Sequence, residues 1–267
     1  ADFEKGDAEG HLLYPTMMFR LSNVDAALAG EAWRTIPDLM DAAEKRGVKF
    51  PRKGAVVRPQ KHSSEWRVNV TQVKTAAGRA VDGTDASELS AGEIEGRRQA
   101  MAFFDFLRRE APGFAKSYVV DIPPQLGVRE TRRIAGRYQL SVEDVLACAS
   151  FADTIGVNGW PVENHVGGDV VWRWPEIPAS RGFNQLPYRM LMPRRRDNLW
   201  VAGRCASMTH EGQAAARVSG PCFVMGQAAG TAAHLSLAGN AGNVDIPVEL
   251  LQKTLERDGA YLGRDVD

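Results

Sequence analysis

The spacing of apolar residues predicts a chain in which strands and helices alternate. Large apolar residues from Leu12 to Leu21 predict a strand, with Pro15 at an edge or a bulge. Apolar and polar residues alternate from Glu65 to Val73, which predicts a strand with one buried and one polar face. The segment from Asn23 to Arg46 is helical in character, and Pro37 divides it.

Capping and breaking residues predict where further elements begin. Ser90 and Glu93 form a capping-box pattern ahead of a long amphipathic helix that ends near Pro112. Ser141 predicts the cap of a short helix. Glycines and prolines recur from Gly156 to Arg181, which predicts a long loop segment of the kind that often carries function.

The most informative stretch of the chain is Asp197–Asn240. Its apolar run Leu199–Ala202 predicts a strand that stops at Gly203, a residue that permits a tight turn. After a polar connection, Pro221 predicts a helix start and the apolar pattern continues to Ala238. The N-terminus of that helix carries free N–H groups and could meet an anion.

Small residues form a stripe on this helix. They fall at i, i+3, i+4 and i+7, which places them on one face: Gly226, Ala229, Gly230 and Ala233. Such a face admits another backbone or a flat cofactor at close range. By spacing alone, a close-packed strand–helix unit without a ligand explains the stripe equally well.

Composition narrows the range of partners. The 267 residues are 44% hydrophobic, and Lys+Arg and Asp+Glu each number 33, so the net charge is zero. We therefore expect neither a nucleic-acid partner nor a membrane span. Three scattered cysteines predict no disulfide framework and no metal site, and they favour a reducing, cytoplasmic location.

Several segments, in order, resemble one protein family. NLWVAGR at 198–204 and RVSGPCFVMGQAAGTAA at 217–233 resemble the C-terminal, flavin-contacting part of FAD-dependent oxidoreductases of the fumarate reductase and glutathione reductase type. GVRETRRI at 127–134, GWPVENH at 159–165 and QLPYR at 185–189 are also similar to the family's patterns. The resemblance implies a flavoprotein that transfers a hydride from a small organic substrate to N5 of FAD, in an oligomer.

The resemblance also implies roles for individual residues. His165 is the first candidate acid/base, and Tyr188 and Arg129 are its candidate helpers. His210 is a second acid/base candidate beside the cofactor. The residues expected to contact FAD are Arg132, Gly203, Arg204, His210, Gly220, Pro221, Cys222, Phe223, Gly226 and Gln227.

The expected fold is mixed α/β in three parts. Residues 1–122 would form a substrate-side mixed sheet with helices, and residues 123–240 the C-terminal part of an FAD-binding domain with a substrate loop. Residues 241–267 would form a peripheral helix and tail.

One expected motif is missing from the chain. The family binds the ADP part of FAD with a βαβ unit carrying G-x-G-x-x-G, and no such pattern occurs among the 267 residues. The chain would then be a fragment, one subunit of a split enzyme, or a protein that has lost FAD. The start at Ala1 rather than Met favours the first two. A partner chain or segment would supply the βαβ unit, and the alternative function is a non-catalytic binding or assembly module.

Overall fold

The computed structural model describes residues 1–175 and 181–264, which form two compact units. The first unit comprises Ala1–Leu12, Glu130–Asn164 and Val171–Asp267, and the second comprises Leu13–Arg129 and His165–Val170. The chain thus passes from one unit to the other four times, and the three-part division expected from the sequence stays a prediction. Pro178 of the predicted loop segment and the last residues of the predicted tail lie outside the described residues.

Short strands and longer helices alternate along the described chain. The strands are β1 (Phe3–Lys5), β2 (Phe19–Ser22), β3 (Val56–Pro59), β4 (Trp66–Asn69), β5 (Tyr118–Asp121), β6 (Arg132–Ile134), β7 (Thr154–Asn158), β8 (Val162–Val166), β9 (Asp169–Arg173) and β10 (Asn184–Pro187). The helices are α1 (Ala26–Ala29), α2 (Ala32–Lys45), α3 (Ala86–Glu110), α4 (Val142–Leu146), α5 (His210–Ala216), α6 (Ser219–Gly239) and α7 (Val248–Arg257). Two 3₁₀ turns are Tyr188–Leu191 and Gly203–Cys205. The fold is mixed α/β, as the sequence predicts.

The second unit is built on one antiparallel sheet in the order β3-β4-β2-β5. One face of the sheet is apolar because Leu21, Trp66 and Val68 alternate with polar residues, and all three are buried in the core. The long helix α3 contributes Phe103 and Leu107 to the same core. This unit therefore has a hydrophobic core of its own.

The first unit has a separate core around α6. Its small sheets pair β1 with β6 and β7 with β10, each antiparallel. Helix α6 contributes Met225, Ala228 and Ala232 to this core, and α7 contributes Leu251 and Leu255. The opposite side of α6 does not contribute to this core and is described with the candidate site below.

Several predicted boundaries were wrong. The run Leu199–Ala202 forms no strand in the described structure, because no neighbouring strand pairs with it, although Val201 donates to the Leu191 carbonyl at 2.8 Å. Helix α2 continues through Pro37, and the break lies instead at Gly30, whose φ is 48°. Pro37 is the sixth residue of α2 and supplies no N–H to the carbonyl four residues before it.

Two further predictions differ in extent. Helix α3 begins at Ala86 with Asp85 as its N-cap, four residues before the predicted Ser90. The strand predicted over Leu12–Leu21 is confined to β2, and the segment from Gly156 to Arg181 contains strands as well as loops. The predicted cap of α4 is confirmed, because Ser141 and Asp144 form both hydrogen bonds of a capping box.

Candidate functional site

Two helix starts in the first unit define the candidate site. Helix α5 begins at His210, and its N-cap Thr209 accepts a hydrogen bond from the Gly212 N–H at 2.9 Å. Helix α6 begins at Ser219, and no side chain caps it. The first N–H groups of α6, at Ser219 and Gly220, are exposed and carry the positive end of the helix dipole.

Buried polar atoms without partners gather around α5. Within the described residues, six buried side-chain nitrogen or oxygen atoms have no hydrogen-bond partner, and two belong to α5 itself: His210 Nδ1 and Gln213 Oε1. A third is Nε of Arg217, the C-cap residue of α5. A fourth is Oδ1 of Asn164, whose amide nitrogen donates to Glu211 of α5 at 3.3 Å. Native interiors rarely leave such atoms unsatisfied, so ordered water or a bound group completes their hydrogen bonds.

Positive charge and two thiols lie next to these atoms. The Arg217 side chain is 9% exposed, and its guanidinium lies 3.7 Å from the Glu163 carboxylate. Burial lowers the pKa of Arg217, and it raises the pKa of the neighbouring Cys222 thiol. Cys222 Sγ contacts the Arg217 carbonyl at 3.2 Å, so the thiol is held at the start of α6.

The turn before α5 leaves its backbone open to approach. Gly203 has a φ of 72°, and a Cβ built there would meet only Cys222 Sγ, at 3.7 Å. A Cβ built at Gly220 would meet no atom of the described structure within 4 Å. The side chain of Arg204 is exposed, and its carbonyl accepts from Gln213 Nε2 at 2.7 Å. Amide donors and a guanidinium at an accessible backbone suit an anionic, acceptor-rich ligand.

A buried chain of charges anchors the start of α5. Glu130 and Arg133 form an ion pair whose side chains are 0% and 2% exposed. Arg133 also donates to the carbonyls of Met208 at 2.9 Å and Gly6 at 2.7 Å. Nδ1 of His210 lies 2.8 Å from the second Glu130 oxygen, although not in a linear hydrogen-bond geometry. Burial first, and the charge of Arg133 second, lower the pKa of His210.

The glycine stripe of α6 faces outward. Gly226 and Gly230 are exposed, and a Cβ at either position would meet nothing within 4 Å. The same face carries Phe223 and Leu237, which are 75% and 85% exposed. Ala229 and Ala233 lie at its border and are half-buried. The exposed polar side chains of Gln227 and His234 lie on the same side of the helix, so this face combines apolar and polar surface.

Two predicted catalytic residues lie in the second unit. His165, in β8, is 3% exposed, and Arg129 is 7% exposed and donates to the Tyr14 carbonyl. The second unit also holds a surface depression of about 750 Å³, in which Lys74 is the cation. Neither His165 nor Arg129 is among its lining residues.

Two other predicted residues have structural contacts. The Tyr188 hydroxyl donates to the Asn243 carbonyl at 3.1 Å and accepts from Trp200 Nε1 at 2.6 Å. Tyr188 is 2% exposed, and burial raises its pKa, so the phenol stays neutral within the core. Arg132 is exposed, and its guanidinium stacks over the Phe3 ring at 5.3 Å.

Sequence reasoning missed the charged and amide groups that the fold buries here. Arg133 lies next to the selected Arg132 on β6, and strand alternation puts the two on opposite faces. Glu130 similarly follows the selected Arg129. Gln213 gave the clearest signal, because a polar side chain followed by three alanines on a short helix calls for a buried partner.

The remaining donor groups carry no site of their own. Asp7, Glu9 and His11 bring their ligand atoms within 4.8 Å of one another. The Asp7 carboxylate already accepts from the N–H groups of Glu9 at 3.0 Å and His11 at 2.8 Å, so it acts in a turn. None of the helices over residues 1–175 and 181–264 has the length and apolarity that a bilayer span requires.

Comparison with known proteins gives one match. The sequence model of a family described as FAD dependent oxidoreductase matches residues 1–255. No curated protein and no solved structure matches the chain.

Proposed function

Because the chain belongs to the FAD dependent oxidoreductase family, whose cofactor is FAD, we propose that it oxidises a small organic substrate by hydride transfer to the flavin N5. The observation that supports this proposal is the group of unpartnered polar atoms around α5, beside the uncapped start of α6. FAD carries both kinds of hydrogen-bonding group: its acceptor oxygens and ring nitrogens suit Nε of Arg217, and its hydroxyl groups suit the amide oxygens of Gln213 and Asn164.

The residues present fit part of that cofactor. The open backbone at Gly203 and the guanidinium of Arg204 suit the pyrophosphate and ribityl chain. The segment Gly220–Phe223 at the start of α6 suits the pyrimidine end of the flavin ring, where negative charge develops on reduction. The buried Arg217 adds a positive charge on the same side.

Within this proposal each protein group has a limited task. FAD, when bound, supplies two-electron chemistry at its ring. The amides of Ser219 and Gly220 hold a negative charge in place, and His165 with Arg129 serves as substrate-side acid/base. Tyr188 is left out, because its buried hydroxyl already donates its proton to Asn243 and accepts from Trp200.

We also propose that a dinucleotide-binding βαβ segment completes the cofactor site. The chain has no G-x-G-x-x-G pattern. The outward face of α6 is the surface in the first unit that such a segment would cover.

The flavin content of the protein tests the cofactor site. The chain is purified from its own cells with whatever segment accompanies it, identified by intact mass, and the visible flavin bands are measured. Phe223→Glu places a charge on the outward face of α6 and should lower the affinity for FAD by about tenfold or more, equivalent to about 1.4 kcal/mol. Ile94→Glu is the matched control, because Ile94 is 73% exposed on α3 of the other unit.

Two outcomes count against the proposal. A preparation that contains a G-x-G-x-x-G segment but takes up no added FAD contradicts the cofactor site. If FAD is bound but no alcohol, hydroxy acid or amine bleaches it anaerobically while dithionite does, the non-catalytic alternative is favoured. A similar loss of FAD in both variants contradicts the assigned face.

A further inference from the structure

Glu130, which the proposed function does not use, is buried beside the start of α5. We infer that Glu130 is a positioning residue that holds His210 as the Nδ1–H tautomer, so that Nε2 is a hydrogen-bond and proton acceptor. The part of this inference that concerns a bound group rests on the proposed function. The tautomer itself depends only on this chain.

The first step concerns the charge state of Glu130. Its side chain is fully buried against Arg133, and a guanidinium keeps its charge in proteins. An unpaired buried charge is costly, so the carboxylate stays ionised and accepts hydrogen bonds only. Arg133 cannot move away to release it, because the carbonyls of Met208 and Gly6 hold two more of its N–H groups.

The second step concerns the ring of His210. Thr209 fixes the backbone at the start of α5, and this brings Nδ1 to 2.8 Å from Glu130 Oε2. An unprotonated Nδ1 would set a lone pair against the carboxylate, so Nδ1 carries the proton. The side chain keeps 17% of its surface exposed, and the buried nitrogen is Nδ1. Nε2 is therefore the nitrogen that a bound molecule can reach.

The third step concerns the charge of the imidazole. The groups that act on it are Arg133 and His11, which oppose a positive ring, and Asp7, Glu211 and the contacting Glu130, which favour one. Burial is the largest effect, and together with Arg133 it lowers the pKa of His210. A neutral ring has one N–H, and the nearby carboxylate of Glu130 places that proton on Nδ1. Nε2 is then free of a proton and accepts a hydrogen bond from a hydroxyl or N–H group of the cofactor or the substrate.

Side-chain nitrogen NMR on the full chain tests the tautomer without flavin. The five histidines are labelled with ¹⁵N, and His210→Gln assigns the signal. At neutral pH we expect the Nδ1–H form in at least about tenfold excess, since a buried carboxylate 2.8 Å away attracts an N–H at Nδ1 and repels a lone pair there. Glu130→Gln should bring the two tautomers toward equal populations.

A second variant covers the case in which Glu130→Gln fails to fold. Glu130→Gln with Arg133→Met removes both charges together, which proteins tolerate better than the loss of one. A dominant Nε2–H form in the wild type would overturn the inference, and so would an unchanged tautomer ratio in the double variant.

The source of the group facing Nε2 is found by adding ligands in turn. Added FAD alone should shift the Nε2 signal if the donor belongs to the cofactor, whereas a shift only with substrate assigns it to the substrate. If neither FAD nor substrate shifts the Nε2 signal in a sample with bound flavin, the acceptor role is overturned. Failure to bind FAD would count against the proposed function and leave the tautomer result standing.

Discussion

At the scale of single residues, glycine has opposite roles on two neighbouring helices. On α5 a Cβ at Gly212 would lie 2.2 Å from the Leu140 carbonyl oxygen, a backbone atom that cannot rotate away. On α6 a Cβ at Gly226 or Gly230 would meet no atom within 4 Å of the described structure. The first glycine is required by packing within the chain, and the other two are not.

Alanine substitution separates these roles. Gly212→Ala should lower the free energy of unfolding by about 3 kcal/mol or more, because it overpacks against backbone. Gly226→Ala should leave the free energy unchanged or raise it by up to about 1 kcal/mol, because alanine favours the helix. Urea denaturation of both variants measures the difference, and similar losses in the two would contradict the outward orientation of the stripe.

The lowered pKa of His210 makes the free energy of unfolding decrease at acid pH. The unfolded histidine titrates near its ordinary pKa of 6.5, above the folded value, so the unfolded chain binds the proton first as pH falls. The free energy of unfolding therefore has its full value above the unfolded pKa and decreases as the pH falls below it. The decrease levels off once the pH is below the folded pKa. The loss is about 1.4 kcal/mol for each unit of pKa lowering.

The measurement compares unfolding free energies at about pH 7.5 and about pH 5.5. His210→Gln should lose less stability between these two conditions than the wild type does. Other groups titrate in both proteins, so the difference between the two profiles belongs to His210. Parallel profiles would show that the imidazole is not held neutral by the fold.

At the scale of elements, the start of α3 shows how a local cap decides a boundary. Asp85 accepts a hydrogen bond from the Glu88 N–H at 2.9 Å. Glu88 in turn pairs with Arg79 and accepts from the Asp82 N–H at 3.0 Å. Ser90, the cap that the sequence pattern favoured, lies inside the helix and donates to the Ala86 carbonyl at 2.8 Å.

The two candidate caps can be compared directly. Asp85→Ala should lower the free energy of unfolding by about 1 kcal/mol, the usual value of an N-cap. Ser90→Ala, at an exposed helix position, should change it by no more than about 0.5 kcal/mol. Chemical denaturation with equal m-values in both variants provides the comparison, and the reverse order would place the cap at Ser90.

At the scale of the whole molecule, the chain builds two cores from discontinuous segments. The second unit buries Trp66, Phe103 and Phe114 around its own sheet, and the first buries Met190, Met225 and Leu251 around α6. Each core is complete without the outward face of α6. That face is consequently available for the segment proposed to complete the FAD site.

The sequence by itself determined the mixed α/β class, and the resemblance of several segments to a known family gave the family and its FAD cofactor, which the family model over residues 1–255 confirms. Local signals gave the start of α6 to within two residues, at Ser219 rather than at the predicted Pro221, because proline favours the first turn of a helix. Local signals also gave the cap of α4, since both of its hydrogen bonds join residues three apart.

Tertiary structure alone decided which charges are buried together. Glu130 pairs with Arg133 and lies 2.8 Å from His210, a residue far along the chain, and nothing local distinguishes Glu130 and Arg133 from Arg129 and Arg132. The failed strand at Leu199–Ala202 has the same origin, because a strand needs a neighbour and periodicity does not supply one. Non-local pairing depends on which surfaces the fold brings together, and single-sequence patterns do not contain that information.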